Sequence, residues 1–216
     1  MMIAARNAML MGGAKLPYDA EVDYLESTGT QYVDTLVAAA ADISVEVDAL
    51  PKNGIRYGET LYSGPLFGDI SVSATALCFT AGAGNDFFVS AATIAIPSDK
   101  TNRQTVGMTR FVGTRTIGAT TQSWNLSGSP VAAELSMYLF ARRSATGPGF
   151  GTWQIYAAQI SVGGALVRDY IPVRVGSDSS AVGYLYDRAN PTGGPLGNGL
   201  YPNAGSGAFV VGPDKP

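Results

Sequence analysis

At 216 residues and a formal net charge of −3, the chain is long enough for one domain with a sizeable core and has no electrostatic footprint for nucleic acid. It contains no histidine, which excludes Ser/His and Cys/His nucleophile pairs, His-based zinc sites and the commonest general base, so an enzyme here would run on carboxylates. Charged residues make up only 14% of the chain and glycines number 27, a turn-rich profile that favours strands over helices.

Residues 1–17, "MMIAARNAMLMGGAKLP", differ from everything after them. Arg6 and Asn7 split the apolar run, so the segment does not read as a secretory signal, and it is too short to span a bilayer. Met1, Met2, Met9, Leu10 and Met11 give it an adaptable, sticky surface, which reads as an arm docking onto another copy or another protein. Residues 18–216 read as the folded domain.

The domain opens on "YLESTGTQYVDT", Tyr24 to Thr35, where hydroxyls, a glycine and two carboxylates lie between aromatics. A binding loop and a strand entering through a tight turn both fit this composition. From here the period is two. In "ADISVEVDAL", Ile43, Val45, Val47 and Ala49 alternate with Ser44, Glu46, Asp48 and Leu50, the pattern of a half-buried strand ended by Pro51.

Short strand patterns then recur to the end of the chain, separated by Gly, Pro, Asn, Asp or Ser clusters. With no long amphipathic helix among them, they predict a two-sheet sandwich. Residues 189–207, "ANPTGGPLGNGLYPNAGSG", read as a surface loop too polar and turn-rich for the core. The single cysteine, Cys78, stands between apolar neighbours and reads as a small buried hydrophobe.

Sugar recognition needs, on exposed loops, an aromatic face for the C–H side of a pyranose and polar groups for its hydroxyls. Trp124 in "TQSWNLSG", and Tyr57 with Tyr62 in "IRYGETLYSG", have such neighbours and are the candidate ligand residues. Trp153 opens a well-patterned strand and reads as core or sheet surface. Arg168 and Asp169 are adjacent on a strand and so point to opposite faces. Arg168 is expected to bridge to Asp34 or Glu26.

"LSMYLFARR" at 135–143 and "GTWQIYAAQISVGGALVRDYIPVR" at 151–174 resemble the closing strands of concanavalin A-like and laminin G-like jelly-roll domains. "EVDYLESTGTQYVDT" resembles the opening of many bacteriophage, prophage and gut-bacterial proteins of this type. "GYLYD" at 183–187 and "LYPNAGSGAFVVGP" at 200–213 resemble their ends. Residues 51–134 match nothing in that pattern.

The resemblance implies an all-β, two-sheet antiparallel jelly-roll sandwich. In it the opening stretch would turn at Gly29 and clasp the C-terminal "GAFVVG". Retaining glucanases of this fold carry Glu-x-Asp-x-Glu on one strand. Here Glu46 and Asp48 are followed by Leu50 where the acid/base would stand, so no catalytic residue is expected. Laminin G-like domains often hold calcium, but no acid-rich loop appears here and no cofactor is expected.

The function that the resemblance implies is that of a non-enzymatic virion protein, a fibre, tail-tip or capsid-decorating component present in several copies. Its arm would join it to other virion proteins, and its lectin-like sandwich would attach to a host-surface glycan or protein. The alternative is a secreted or surface-displayed bacterial carbohydrate-binding or adhesion module.

Overall fold

The computed structural model describes residues 15–39, 42–52, 55–57, 60–69, 77–81, 86–89, 92–95, 101–109, 112–125, 135–177 and 180–216. As the alternation predicts, these residues form antiparallel β-structure, with no α-helix among them. The first strands are β1 (Ala20–Glu21), β2 (Leu25–Glu26), β3 (Val33–Ala38), β4 (Ile43–Pro51), β5 (Ile55–Tyr57), β6 (Thr60–Tyr62) and β7 (Gly64–Asp69). The middle strands are β8 (Leu77–Ala81), β9 (Asp86–Val89), β10 (Ala92–Ala95), β11 (Gln104–Thr109), β12 (Val112–Ile117) and β13 (Thr120–Asn125). The last are β14 (Ser136–Leu139), β15 (Ala141–Arg142), β16 (Gly149–Phe150), β17 (Trp153–Val162), β18 (Ala165–Val175), β19 (Val182–Asp187), β20 (Leu200–Tyr201) and β21 (Val210–Val211).

Among the described residues one sheet has eleven strands along the path β13-β12-β11-β4-β17-β18-β19-β20, with β1, β2 and β21 attached. A second has six, in the order β10-β9-β8-β7-β14-β3. The core lies between them. Strand β4 turns Ile43, Val45, Val47 and Ala49 inward, and the facing strands supply Val33, Leu66, Phe79, Met137 and Leu139. Each large apolar side chain buried this way contributes about 1.5–3 kcal/mol. Phe79 ties the layers together, stacked 6.4 Å from Trp124 and edge-on at 6.3 Å from Trp153. The indole of Trp153 is fully buried, which decides for the core over the sheet surface, and donates to the Gly64 carbonyl at 3.1 Å.

Strands β17 and β18 form a hairpin through Gly163 and Gly164, whose φ angles of +59° and +77° suit a two-residue turn matched to strand twist. Away from that turn they diverge. The chain ends fill the opening: β2 pairs with β17 on one side and β21 on the other, while β1 pairs with β18. The stretch from Tyr24 to Thr35 is therefore a structural clasp. Gly29 takes φ +104°, and the buried Gln31 side chain accepts from the Thr28 backbone N–H at 2.8 Å to hold the turn. The Tyr32 N–H donates to Asn203 Oδ1 at 3.1 Å, tying the turn to the C-terminal segment.

Three expectations change. Arg168 pairs with neither Asp34 nor Glu26; its Nε lies 3.6 Å from the buried Asp187 carboxylate and donates to the Thr35 carbonyl at 3.1 Å. It still links the opening block to β18, through a backbone acceptor that residue types do not reveal. Asp169 faces the other way and pairs with Arg188. The loop at 189–207 is not all surface, because Leu200 and Tyr201 are buried as β20, paired to β19. Leu16, at the end of the arm, already belongs to the body: with Tyr18 it covers Ile171, Val173 and Tyr186 in a small apolar cluster separate from the main core.

The arm residues Met1, Met2, Met9, Leu10 and Met11 lie outside the described residues. Cys78 lies on β8, with its side chain outside those described.

Candidate functional site

The outward-facing surface of the eleven-stranded sheet carries a connected arrangement of aromatic and hydrogen-bonding groups. It is built around an irregularity in β17. The register against β4 slips between Ile155 and Ala157, which makes Tyr156 the extra residue of a bulge. Ile155, Ala158 and Ile160 all stay inward, and Tyr156 is turned outward beside Gln154. Bulges commonly re-aim side chains in this way.

Arg103, immediately before β11, lies over the Tyr156 ring with its guanidinium carbon 3.8 Å from the centroid. Its Nε and Nη2 donate to the two oxygens of Asp48 at 2.8 and 2.5 Å. Those hydrogen bonds hold the Arg103 pKa above its ordinary value, and burial lifts the phenol of Tyr156 above its own. Tyr24 meets Tyr156 edge-on at 5.6 Å. The Tyr156 hydroxyl donates to Gln154 Oε1 at 2.9 Å, and Gln154 Nε2 donates to Glu26 at 2.7 Å. One connected network thus runs from β11 to β2.

Farther across the same face, Glu46 is exposed and stands opposite Gln159 in register. Gln159 donates to Asp169 at 3.1 Å, and Asp169 is gripped by Arg188 at 2.9 and 3.0 Å. Glu46 and Asp48 share this face, as the strand spacing predicted. Asp48 is engaged on both oxygens by Arg103, and Leu50 occupies the third outward position. The surface offers aromatic edges, amides and partly exposed charges to a polar partner. Among the described residues no group of three or more His, Cys, Asp or Glu side chains could hold a metal ion.

The sequence-selected aromatics lie elsewhere. Trp124 is on β13 and not in a loop; it is 9% exposed and faces the core beside Gly113. A Cβ at Gly113 would stand 2.2 Å from the indole, so the ring is held against the sheet and offers no open face. Tyr57 and Tyr62 fall on the β5–β6 ribbon, Ile55 opposite Tyr62 and Tyr57 opposite Thr60, and their side chains are outside those described.

Tyr156 and Arg103 were not selected from sequence. The signal for Tyr156 is the phase break in "QIYAAQI", where apolar positions spaced by three and then by two mark a bulge. Nothing local marks Arg103. No protein-family model matches the chain, and no curated protein matches it significantly.

Proposed function

We propose that this chain is a non-enzymatic structural component of a virion, a fibre, tail-tip or capsid-decorating protein, that displays a concanavalin A-like sandwich for attachment to a host glycan or protein. The observation that carries this reading is the disposition of the outer sheet face. The chain enters along the β18–β19 flank, where Leu16 and Tyr18 pack, and finishes at β21 beside β2. The Tyr156–Arg103 network spans β11, β4 and β17 and reaches Glu26 on β2, away from the β18–β19 residues on which Leu16 and Tyr18 pack.

A domain held along one flank can present the rest of that face to a partner. Network residues that are ordered by one another before contact lose less conformational freedom on binding. Residues 1–14 supply the docking arm and the described sandwich supplies the contact surface. The resemblance of both chain ends to phage and prophage jelly-roll proteins supports the setting.

The test is a mass-spectrometric inventory of purified particles induced from the host strain, comparing the full chain with one lacking residues 1–14. Defined stoichiometry for the full chain and loss of the truncated one are expected. Absence from particles, with the chain at the cell surface or in the medium, would replace this reading with that of a bacterial adhesion module.

A further inference from the structure

The opposite face of the sandwich carries a second constellation, independent of the Tyr156 network. On the outward side of the six-stranded sheet, Tyr32 and Tyr138 lie with ring centroids 4.4 Å apart and planes tilted by 33°. Phe150 flanks them, 6.1 Å from Tyr32. Tyr138 forms the floor, buried between Asp34 on β3 and Gly68 on β7, its register partners.

Arg143 reaches over this floor, its guanidinium carbon 5.3 Å from the Tyr138 centroid. Its Nη1 donates to Ser136 Oγ at 2.9 Å and stands 4.0 Å from Asp34 Oδ2, at the outer limit of an ion pair. Both side chains are about a quarter exposed, at 26% and 27%. A donor and an acceptor that face each other without a close hydrogen bond can be bridged by an adjacent pair of hydroxyls. One hydroxyl would donate to the carboxylate and the other accept from the guanidinium.

The rim is built and not loose. Asn203 accepts from the Tyr32 and Gly205 N–H groups at 3.1 and 2.8 Å and donates to the Gly207 carbonyl at 2.9 Å, fixing the C-terminal loop beside Tyr32. Asp34 Oδ1 accepts from the Leu36 N–H at 3.0 Å, which fixes the carboxylate and leaves Oδ2 toward Arg143.

We infer that Tyr32, Phe150, Arg143 and Asp34 form a binding site for a terminal pyranose, its C–H face against the half-buried rings of Tyr32 and Phe150 and a vicinal diol across Arg143 and Asp34, with the buried Tyr138 supporting them from beneath. The inference deepens the attachment reading by placing a glycan contact on the face opposite the Tyr156 network, and it rests on that reading only for the source of the glycan. A single-sugar site of this kind binds weakly because it buries little area, so function would come from many copies on one particle.

The test is a backbone amide NMR titration of the full chain with the methyl glycosides of glucose, galactose, mannose and N-acetylglucosamine. Saturable shifts at residues 32–36, 136–143 and 203–207 are expected with at least one of them. Asp34→Asn keeps the acceptor for the Leu36 N–H and should weaken binding by about tenfold. Tyr32→Ala should abolish it, and the Asp34→Asn result stands alone if Tyr32→Ala does not fold.

No shift with any glycoside, or shifts confined to the Tyr24, Arg103 and Tyr156 neighbourhood, would overturn the site. Particle adsorption to periodate-treated host cells separates the two failures. Glycan-dependent adsorption with an unmoved Tyr32 cluster sinks the site alone, whereas adsorption indifferent to both the chain and cell glycans sinks the attachment reading too.

Discussion

Leu25 and Val211, from opposite ends of the chain, are backbone partners in the eleven-stranded sheet, and both pack on the bare Cα of Gly183. A Cβ at Gly183 would lie 2.4 Å from Leu25 Cδ2 and 3.1 Å from Val211 Cγ2. Leu25 is fully buried and has little room to swing away. Gly183→Ala is expected to cost about 1–3 kcal/mol in urea denaturation, the usual penalty of overpacking. Wild-type stability would show that the clasp is not closed as described.

Gln104 faces inward on β11 at 1% exposure, and its amide has no hydrogen-bond partner among the described residues. A buried amide without a partner costs about 1–3 kcal/mol. Gln104→Leu has a similar volume and removes that cost, so the midpoint of thermal unfolding should rise by several degrees. A fall would mean that the amide has a partner, such as an internal water, which leucine cannot replace.

Leu36 sits in the left-handed region at φ 56° and is 53% exposed. Leu36→Gly loses little burial and relieves strain. Set against glycine's greater freedom in the unfolded chain, the net gain is about 0.5–1 kcal/mol by equilibrium denaturation. Phe140 has a similar φ of 65° but is fully buried and packs 4.7 Å from Phe209. Phe140→Gly should destabilise by about 3–5 kcal/mol or more, because the lost ring outweighs the relieved strain.

Burial raises the phenol pKa of Tyr170 above its ordinary value, with Tyr201 adding to the shift, and that of Tyr18 is raised by burial and by Glu21. A raised folded-state pKa favours the protonated form, so this contribution to stability is whole below about pH 10, where free phenols titrate, and shrinks as pH rises beyond it. Urea midpoints measured from pH 8 to 11.5 should fall at the alkaline end, and Tyr170→Phe should flatten that fall. At the acid end, the hydrogen bonds from Arg174 lower the Asp214 pKa. That contribution is present above the ordinary carboxylate range and lost as pH falls through the lowered value. The hydrogen-exchange protection factors of residues 210–215, corrected for the intrinsic rate at each pH, should therefore fall in acid, and Asp214→Asn should show the lower protection already at neutral pH.

The strand of Ile43–Pro51 was legible from alternation alone, because each inward residue is apolar and one period covers the strand. The clasp was legible through resemblance, and the hydrogen bonds of Gln31 and Asn203 supply its physical basis. The candidate sites were less legible. Trp124 looked available because it stands among polar residues, but alternation on β13 turns it inward while those neighbours face out. Tyr201 was hidden in a Gly/Pro-rich run, since composition averages over a dip of two buried residues.

By itself, the sequence determined the all-β class, the absence of any histidine chemistry and the inward and outward sides of its regular strands, because these depend on residue type and a period of two. Only the tertiary structure decided which distant residues meet. Arg103 reaches Tyr156 because β4 lies between their strands, and Arg143 reaches Tyr138 and Asp34 because β14 pairs with β3. Such contacts are fixed by strand order and by a one-residue bulge, and neither follows from the local sequence around the residues that meet.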